Sequence, residues 1–352
     1  MKIGLVIYGS LDTLSGGYLY DRKLVEYLRA QGDTVEIISL RWRNYVAHLG
    51  DNLTFHLPQG LDILIQDELN HPSLVGANLG NHPCPVISLV HHLRCSEQRA
   101  GWQNAFYRTV EKRYLNSVDG FIFNSKTTRG VVNGLIGNGK PSVVAYPPTD
   151  RFGQGMTGQA AVERAKNGPL RILFLGNVIS RKGLHTLLEA VQRQDIDVRL
   201  DIVGSLSADP LYAAEMQQKA SVLGLSSSVI FHGPRDNGEL ADQLRAAHVL
   251  AVPSSYEGFG IVYLEGMAFG LPAIGTTAGA AGEIIIDRET GYLIRPDDAE
   301  TLAARLLCLA SDRDLLVRMS LNALKRYQQQ PTWEQTAGEI REFLREQIKS
   351  GK

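Results

Sequence analysis

The sequence predicts an α/β protein made of two parallel-sheet domains. Three observations carry this. The chain has 352 residues, more than a single hydrophobic core usually serves. Short apolar, β-branched runs alternate with stretches of helical periodicity, the pattern of a parallel sheet covered by helices. The alternation then restarts after a segment rich in glycine, polar and charged residues. No sequence repeat accompanies the restart, so the halves share an architecture and not a sequence.

In the first half, strands are expected at 2–8, 34–40, 61–65, 86–90, 120–123 and 142–146. Helices fall between them at 18–31, 102–115 and 126–136, the first with Tyr20, Leu24, Tyr27 and Leu28 as its apolar side chains. Pro147 and Pro148 close this half, and 151–169 reads as a linker with room for a short helix. The second series has strands at 170–175, 198–203, 229–231, 249–253 and 272–275, with helices at 184–193, 211–223 and 239–247. Leu184, Leu187, Leu188 and Val191 follow the i, i+3, i+4, i+7 spacing of one helix face. Asp297 and Asp298 form a loop before a further helix. An amphipathic helix at 333–348 ends the chain, with Trp333, Ala337, Ile340 and Leu344 on one face. The expected domains are 1–160 and 161–330, followed by a terminal helix at 331–352.

Composition excludes several classes. A formal net charge of −1 gives no global case for nucleic acid, and 44% hydrophobic with 21% charged residues is ordinary for a soluble globular protein. No stretch approaches the roughly 18 apolar residues of a membrane helix, and the apolar run at 3–8 is too short for a signal segment. Cys84, Cys95 and Cys308 have no paired spacing, which fits a reducing cytoplasm and implies neither a disulfide framework nor a metal site. Between His91 and Lys140 there are eight cations and three acids. That excess suits peripheral contact with an anionic membrane or an acidic acceptor. An ordinary solvated helix face suits it equally, because Phe106, Val110, Tyr114 and Leu115 suffice for packing. The mix matches no nucleic-acid module.

The most informative stretch follows the buried strand at 249–253. Glu257 and Glu265 straddle a turn of Gly258, Phe259 and Gly260 that opens a helix through Ile261 and Val262. Strand, glycine turn and helix in that order aim backbone N–H groups and a positive dipole end at an anion. A phosphate there sets an attached ribose near Glu265 and leaves Glu257 for a sugar. A second strand-to-helix loop carries Arg181 and Lys182 before Gly183, a place for a diphosphate or simply for two solvated cations. Gly16 and Gly17 open the first helix after strand one, and are either a plain turn or a site of close approach to a ligand. His91 and His92 end the strand at 86–90, on the side where open α/β sheets bind ligands. Neighbouring strand residues face opposite ways, so only one serves such a ligand. Asp67, Glu68, Asn70 and His71 form either an acceptor-binding group or a polar loop. Asn124 and Ser125 read first as a helix cap. No Cys or His spacing completes a zinc site.

Ser254 to Gly260, Glu265 to Gly270, Leu271 to Gly275, Gly279 to Glu283, Thr290 to Leu293 and Pro296 to Asp298 together resemble the donor-binding signature of the GT-B, family 4 retaining glycosyltransferases. The resemblance covers most of the second half of the chain in matching order and is looser in the first. It implies a GT-B fold, two Rossmann-like doubly wound domains facing across a cleft, with the terminal helix crossing back to the first. It implies a nucleotide-sugar donor, UDP- or GDP-linked, and transfer to an acceptor hydroxyl with retention, without metal or other cofactor. Arg181 and Lys182 would stabilise the leaving diphosphate, Glu257 would hold the sugar, Glu265 the ribose, and His91 the region near the reacting carbon. Gly16, Gly17, Arg235, Gly258, Phe259, Gly260, Ile261 and Val262 would complete the donor contacts. One departure stands out: Gly176 and Asn177 occupy a place where many members have Gly-Arg. Acceptors from saccharides to lipid-linked glycans and small molecules are compatible, and no feature fixes the sugar, the base or the oligomeric state. Within the same fold, a nucleotide-sugar epimerase or a sugar phosphorylase is the alternative.

Overall fold

A computed structural model describes all residues except 14, 98, 149, 154, 194–196 and 351–352. The chain divides into two compact units, residues 1–148 with 331–352, and residues 149–330.

The first unit holds a six-stranded parallel sheet of β1 (Lys2–Tyr8), β2 (Thr34–Leu40), β3 (Ile63–Asp67), β4 (Val86–Val90), β5 (Gly120–Phe123) and β6 (Ser142–Val144), in the order β2-β1-β3-β4-β5-β6. Side chains alternate across the pleat. Ile3, Leu5 and Ile7 therefore enter a core with Tyr20, Leu24 and Leu28 of the helix Gly16–Ala30. Ala337, Ile340, Phe343 and Leu344 of the terminal helix Trp333–Ser350 complete that core. Val6, Leu64, Val86 and Val90 point the other way, onto Tyr114 and Leu115 of the helix Gly101–Ser117. Leu344 is fully buried, so its truncation to alanine is expected to cost about 2–5 kcal/mol.

The second unit repeats the architecture with β7 (Leu170–Leu175), β8 (Val198–Val203), β9 (Val229–Gly233), β10 (Val249–Ala251), β11 (Ala273–Thr276) and β12 (Gly291–Ile294), in the order β12-β11-β10-β7-β8-β9. This is the doubly wound order of dinucleotide-binding sheets, and its direction reverses between β7 and β10. The helix Gly158–Lys166 occupies the segment expected to link the halves.

The departures from expectation at β3 and β12 have physical reasons. β3 extends to Gln66 and Asp67, which are polar yet buried, so hydrophobic patterning stops two residues early. The Gln66 amide is satisfied by a reciprocal pair with Asn78, at 3.0 and 2.9 Å. β12 is a four-residue edge strand whose apolar run, Tyr292 to Ile294, is too short to announce it. No helix among the described residues is long and apolar enough to cross a membrane.

Candidate functional site

In the second unit the carboxyl ends of β7 and β10 flank the crevice where strand order reverses, the place where such sheets bind ligands. The loop after β7 carries Arg181 and Lys182, and the loop after β10 carries Glu257. The structure brings these three together. Lys182 Nζ donates to Glu257 Oε1, and Ser254 Oγ donates to the same oxygen at 2.7 Å. Arg181 Nη1 lies 3.8 Å from Glu257 Oε2 and donates to the Tyr256 carbonyl at 2.8 Å. The loops are also tied through their backbones, since Ser255 N donates to Arg181 O at 2.8 Å and Ala280 N donates to Glu257 O at 2.8 Å.

Gly183 ends the first loop at φ +69°, where a Cβ would stand 2.1 Å from the Pro253 carbonyl oxygen. Only glycine permits that approach, and the approach sets Lys182 beside Glu257. Burial raises the Glu257 carboxyl, but Lys182, Arg181 and Ser254 outweigh it and hold the group below the usual carboxylate range. Burial lowers the Lys182 ammonium, with Glu257 opposing. The result is a buried carboxylate with two cations beside it and limited access to water.

Glu265 lies inside the helix Ile261–Met267, which starts at the left-handed Gly260. It is 6% exposed and accepts from Arg151 Nη1. Burial raises its carboxyl and Arg151 partly opposes this. Arg151 also donates to Asn237 Oδ1 at 2.8 Å. That contact brings Glu265 near the start of the helix Asn237–Ala246, where Arg235 pairs with Glu239 at 3.0 Å. Phe259 and Gly260 are buried, while Gly258, Ile261 and Val262 are half-buried.

A second group of polar residues gathers at the carboxyl ends of β1, β3 and β4. His91 Nε2 lies 3.0 Å from Asp21 Oδ1, and a Cβ on Gly17 would stand 3.2 Å from the His91 ring. Gly16 and Gly17 form the first turn of their helix, which Ser15 caps by accepting from Tyr18 N. Burial lowers His91, but Asp21 and Asp67 prevail and raise it. Burial and the Asp21 charge push Asp67 up to about 7. His92 turns away to Glu97, at 2.9 Å. Ser125 caps the helix Lys126–Ile136, and Asn124 Nδ2 donates to the His91 carbonyl at 2.8 Å.

Glu68, Asn70 and His71 are buried, not a solvent-facing loop. Burial lowers His71 to about 3, and its Nε2 lies 2.8 Å from the Tyr45 hydroxyl. Two triads, Asp21 with Asp67 and His91, and Glu68 with His71 and Glu111, have ligand atoms within 4.8 Å of one another, a spacing a metal ion would accept.

Asp21, Arg151 and Asn237 escaped the sequence reading. For Asp21 a signal existed: it shares a helix face with Gly17, Tyr20, Leu24 and Leu28, and an aspartate in an apolar stripe is unusual. Arg151 lies 114 residues from its carboxylate, and no local pattern connects them.

Residues 158–326 match the family described as glycosyl transferases group 1. D-inositol 3-phosphate glycosyltransferase of Corynebacterium urealyticum is 30% identical over 253 residues, covering 68% of this chain and 59% of that protein. Glycogen synthase of Mycobacterium tuberculosis is 26% identical over 275 residues, covering 76% and 64%. The chain thus spans less than two thirds of the length of these curated relatives. Among solved structures, sucrose-phosphate synthase of Thermosynechococcus elongatus superposes with a TM-score of 0.82 at 22% identity over 99% of both chains. Anabaena HepE in complex with UDP-glucose gives 0.79 at 18% identity, over 98% of this chain and 100% of that one. These likenesses show the GT-B fold.

Proposed function

We propose that the chain, whose residues 158–326 match the family described as glycosyl transferases group 1, moves a hexosyl unit from a nucleotide-sugar to an acceptor hydroxyl, with retention and without a metal ion. The observation that carries this reading is the convergence of Arg181, Lys182 and Glu257 at the reversal of the second sheet, with Glu265 eight residues further along. As the sugar–phosphate bond breaks, negative charge grows on the departing diphosphate. Lys182 and Arg181 are already placed to receive that charge, in surroundings that exclude most water, where such stabilisation is strongest. Glu257 holds sugar hydroxyls and favours positive character at the anomeric carbon. Glu265 accepts from the ribose hydroxyls, with Gly258 to Val262 beside the phosphates and Arg235 towards the base. His91, beside Gly17, is assigned a part in the reaction as well.

The HepE complex with UDP-glucose supports uracil as the base. The acceptor is a hydroxyl of a saccharide, a lipid-linked glycan or a small molecule. Three free cysteines, one of them exposed, support a reducing compartment such as the cytoplasm. Calorimetry with UDP, GDP and ADP and their hexose conjugates, in the absence of divalent metal, tests the reading. Micromolar binding confined to one base is expected. No binding by folded protein overturns it.

A further inference from the structure

The helix Gly101–Ser117 has an outer face that its packing does not use. It turns Glu111, Tyr114 and Leu115 inward. On the opposite side, Trp102, Phe106, Thr109 and Arg113 stand at i, i+4, i+7 and i+11, a single stripe of roughly 16 Å along the axis. Trp102 is 74% exposed and Phe106 42% exposed. Phe106, expected from the sequence to help pack the helix onto its sheet, is instead half outside. Lys112 flanks the stripe and Arg113 lies in it; both are exposed, as is Arg108. None of these three cations makes an ion pair among the described residues. Glu111, the helix's one acid, is buried and occupied by the backbone N–H groups of Arg94 and Cys95. The outer face is therefore aromatic towards its N-terminal end, cationic towards its C-terminal end, and free of negative charge.

The neighbouring surface continues it. Tyr45 contacts the Phe106 ring at 5.9 Å, and the next residue, Val46, is 71% exposed. Phe106 keeps ring contacts with Tyr45 and Tyr107, whereas Trp102, mostly exposed, makes no ring contact among the described residues, and a salt bridge has no partner acid here. Such a face fits an interface with apolar chains beneath a layer of negative headgroups. We propose that this face of the first unit docks on an anionic lipid bilayer, with Trp102 and Phe106 entering the headgroup–acyl boundary and Lys112 and Arg113 pairing with lipid phosphates.

Co-sedimentation of the full chain with vesicles of phosphatidylcholine, with and without 30 mol% phosphatidylglycerol (roughly the anionic content that gives a substantial surface potential), tests this. Wild type should bind the anionic vesicles and lose them as salt rises. Lys112→Gln with Arg113→Gln should weaken binding about 25-fold, from about fivefold per cation. Trp102→Ala with Phe106→Ala should weaken it at least about tenfold by removing the inserted apolar area. Both variants should keep the wild-type melting temperature and nucleotide affinity. Trp102→Phe should abolish a vesicle-induced blue shift of tryptophan emission. Absence of binding to anionic vesicles overturns the proposal, as does equal binding by the Trp102/Phe106 variant. So does self-association of the protein that this variant loses, which would assign the face to a second copy of the chain.

Discussion

Asp21 Oδ1 lies 3.0 Å from His91 Nε2, and Asp21 is fully buried while its other carboxylate oxygen has no hydrogen-bond partner. A buried carboxylate with one oxygen unused is costly. Its return is orientation: it holds one ring nitrogen of His91, with Gly17 and Tyr20 packed against the ring. Asp21 is thus a positioning residue, and its removal should change the ring before it changes nucleotide binding. In Asp21→Asn, the charge that raises His91 is gone, so the His91 titration observed by NMR should move to lower pH. Sugar transfer should fall about 10- to 100-fold, by analogy with the loss of second-layer partners, at unchanged UDP affinity. An unmoved His91 titration would contradict the role.

Asp67 gives the opposite sign of pH dependence from an ordinary salt-bridged acid. Burial first, and the Asp21 charge second, raise it to about 7, with His91 opposing. A group whose folded value lies above its unfolded value holds its proton longer in the folded state. Its favourable contribution is complete below the unfolded value near 3.8 and is lost as pH rises through about 7. Asp67→Asn fixes the neutral form. It should raise the melting temperature at pH 8 by about 5 °C and change little near pH 4. Scanning calorimetry at the two pH values decides it, and equal effects at both would refute the assignment.

What the sequence disclosed and what it hid divide along one physical line. Arg181, Lys182, Gly183 and the run from Glu257 to Glu265 were visible because each sits in a strand–turn–helix connection, where function and local backbone chemistry share a few consecutive residues. Gly16 and Gly17 were visible for the same reason. The end of β3 was not. Gln66 and Asp67 are polar residues in a buried strand, the first satisfied by Asn78 and the second accepting from Leu69 N. Hydrophobic periodicity has no means of showing them. Glu68 and His71 were seen as polar and taken as one of two things, yet both are buried, since polarity alone does not report enclosure. Asp21 stood in an apolar stripe whose other members drew the helix, and Arg151 stood in a segment that read as linker.

Arg151 and Glu265 make a further prediction. The arginine occupies the carboxylate proposed to accept from ribose, and it lowers a group that burial raises. Without Arg151 the carboxyl should move still higher and keep its proton to higher pH. A protonated carboxyl accepts poorly from two hydroxyls. UDP affinity of Arg151→Ala should therefore fall more steeply than that of wild type as pH is lowered from 8 to 6. Parallel pH profiles by calorimetry would remove Arg151 from this role. Glu265→Gln, which cannot be charged, should bind UDP weakly at every pH in the same range.

Lys182 and Glu257 carry the test of metal independence. The ammonium is buried beside the carboxylate and Arg181 is close to its other oxygen, so in the proposed reaction these two cations would take the part of a divalent ion at the departing diphosphate. Lys182→Gln should lower sugar transfer about 10²- to 10³-fold, the range found when one preorganised charge or donor is removed from a water-poor site. It should also destabilise the fold at neutral pH, because Glu257 then loses the partner that keeps it ionised. That stability difference should shrink as pH falls through the depressed Glu257 value, where wild type loses the same interaction. Chelation with EDTA should leave wild-type transfer unchanged. Activity lost on chelation and restored by a divalent ion would instead direct attention to Asp21, Asp67 and His91, whose ligand atoms already lie within 4.8 Å of one another.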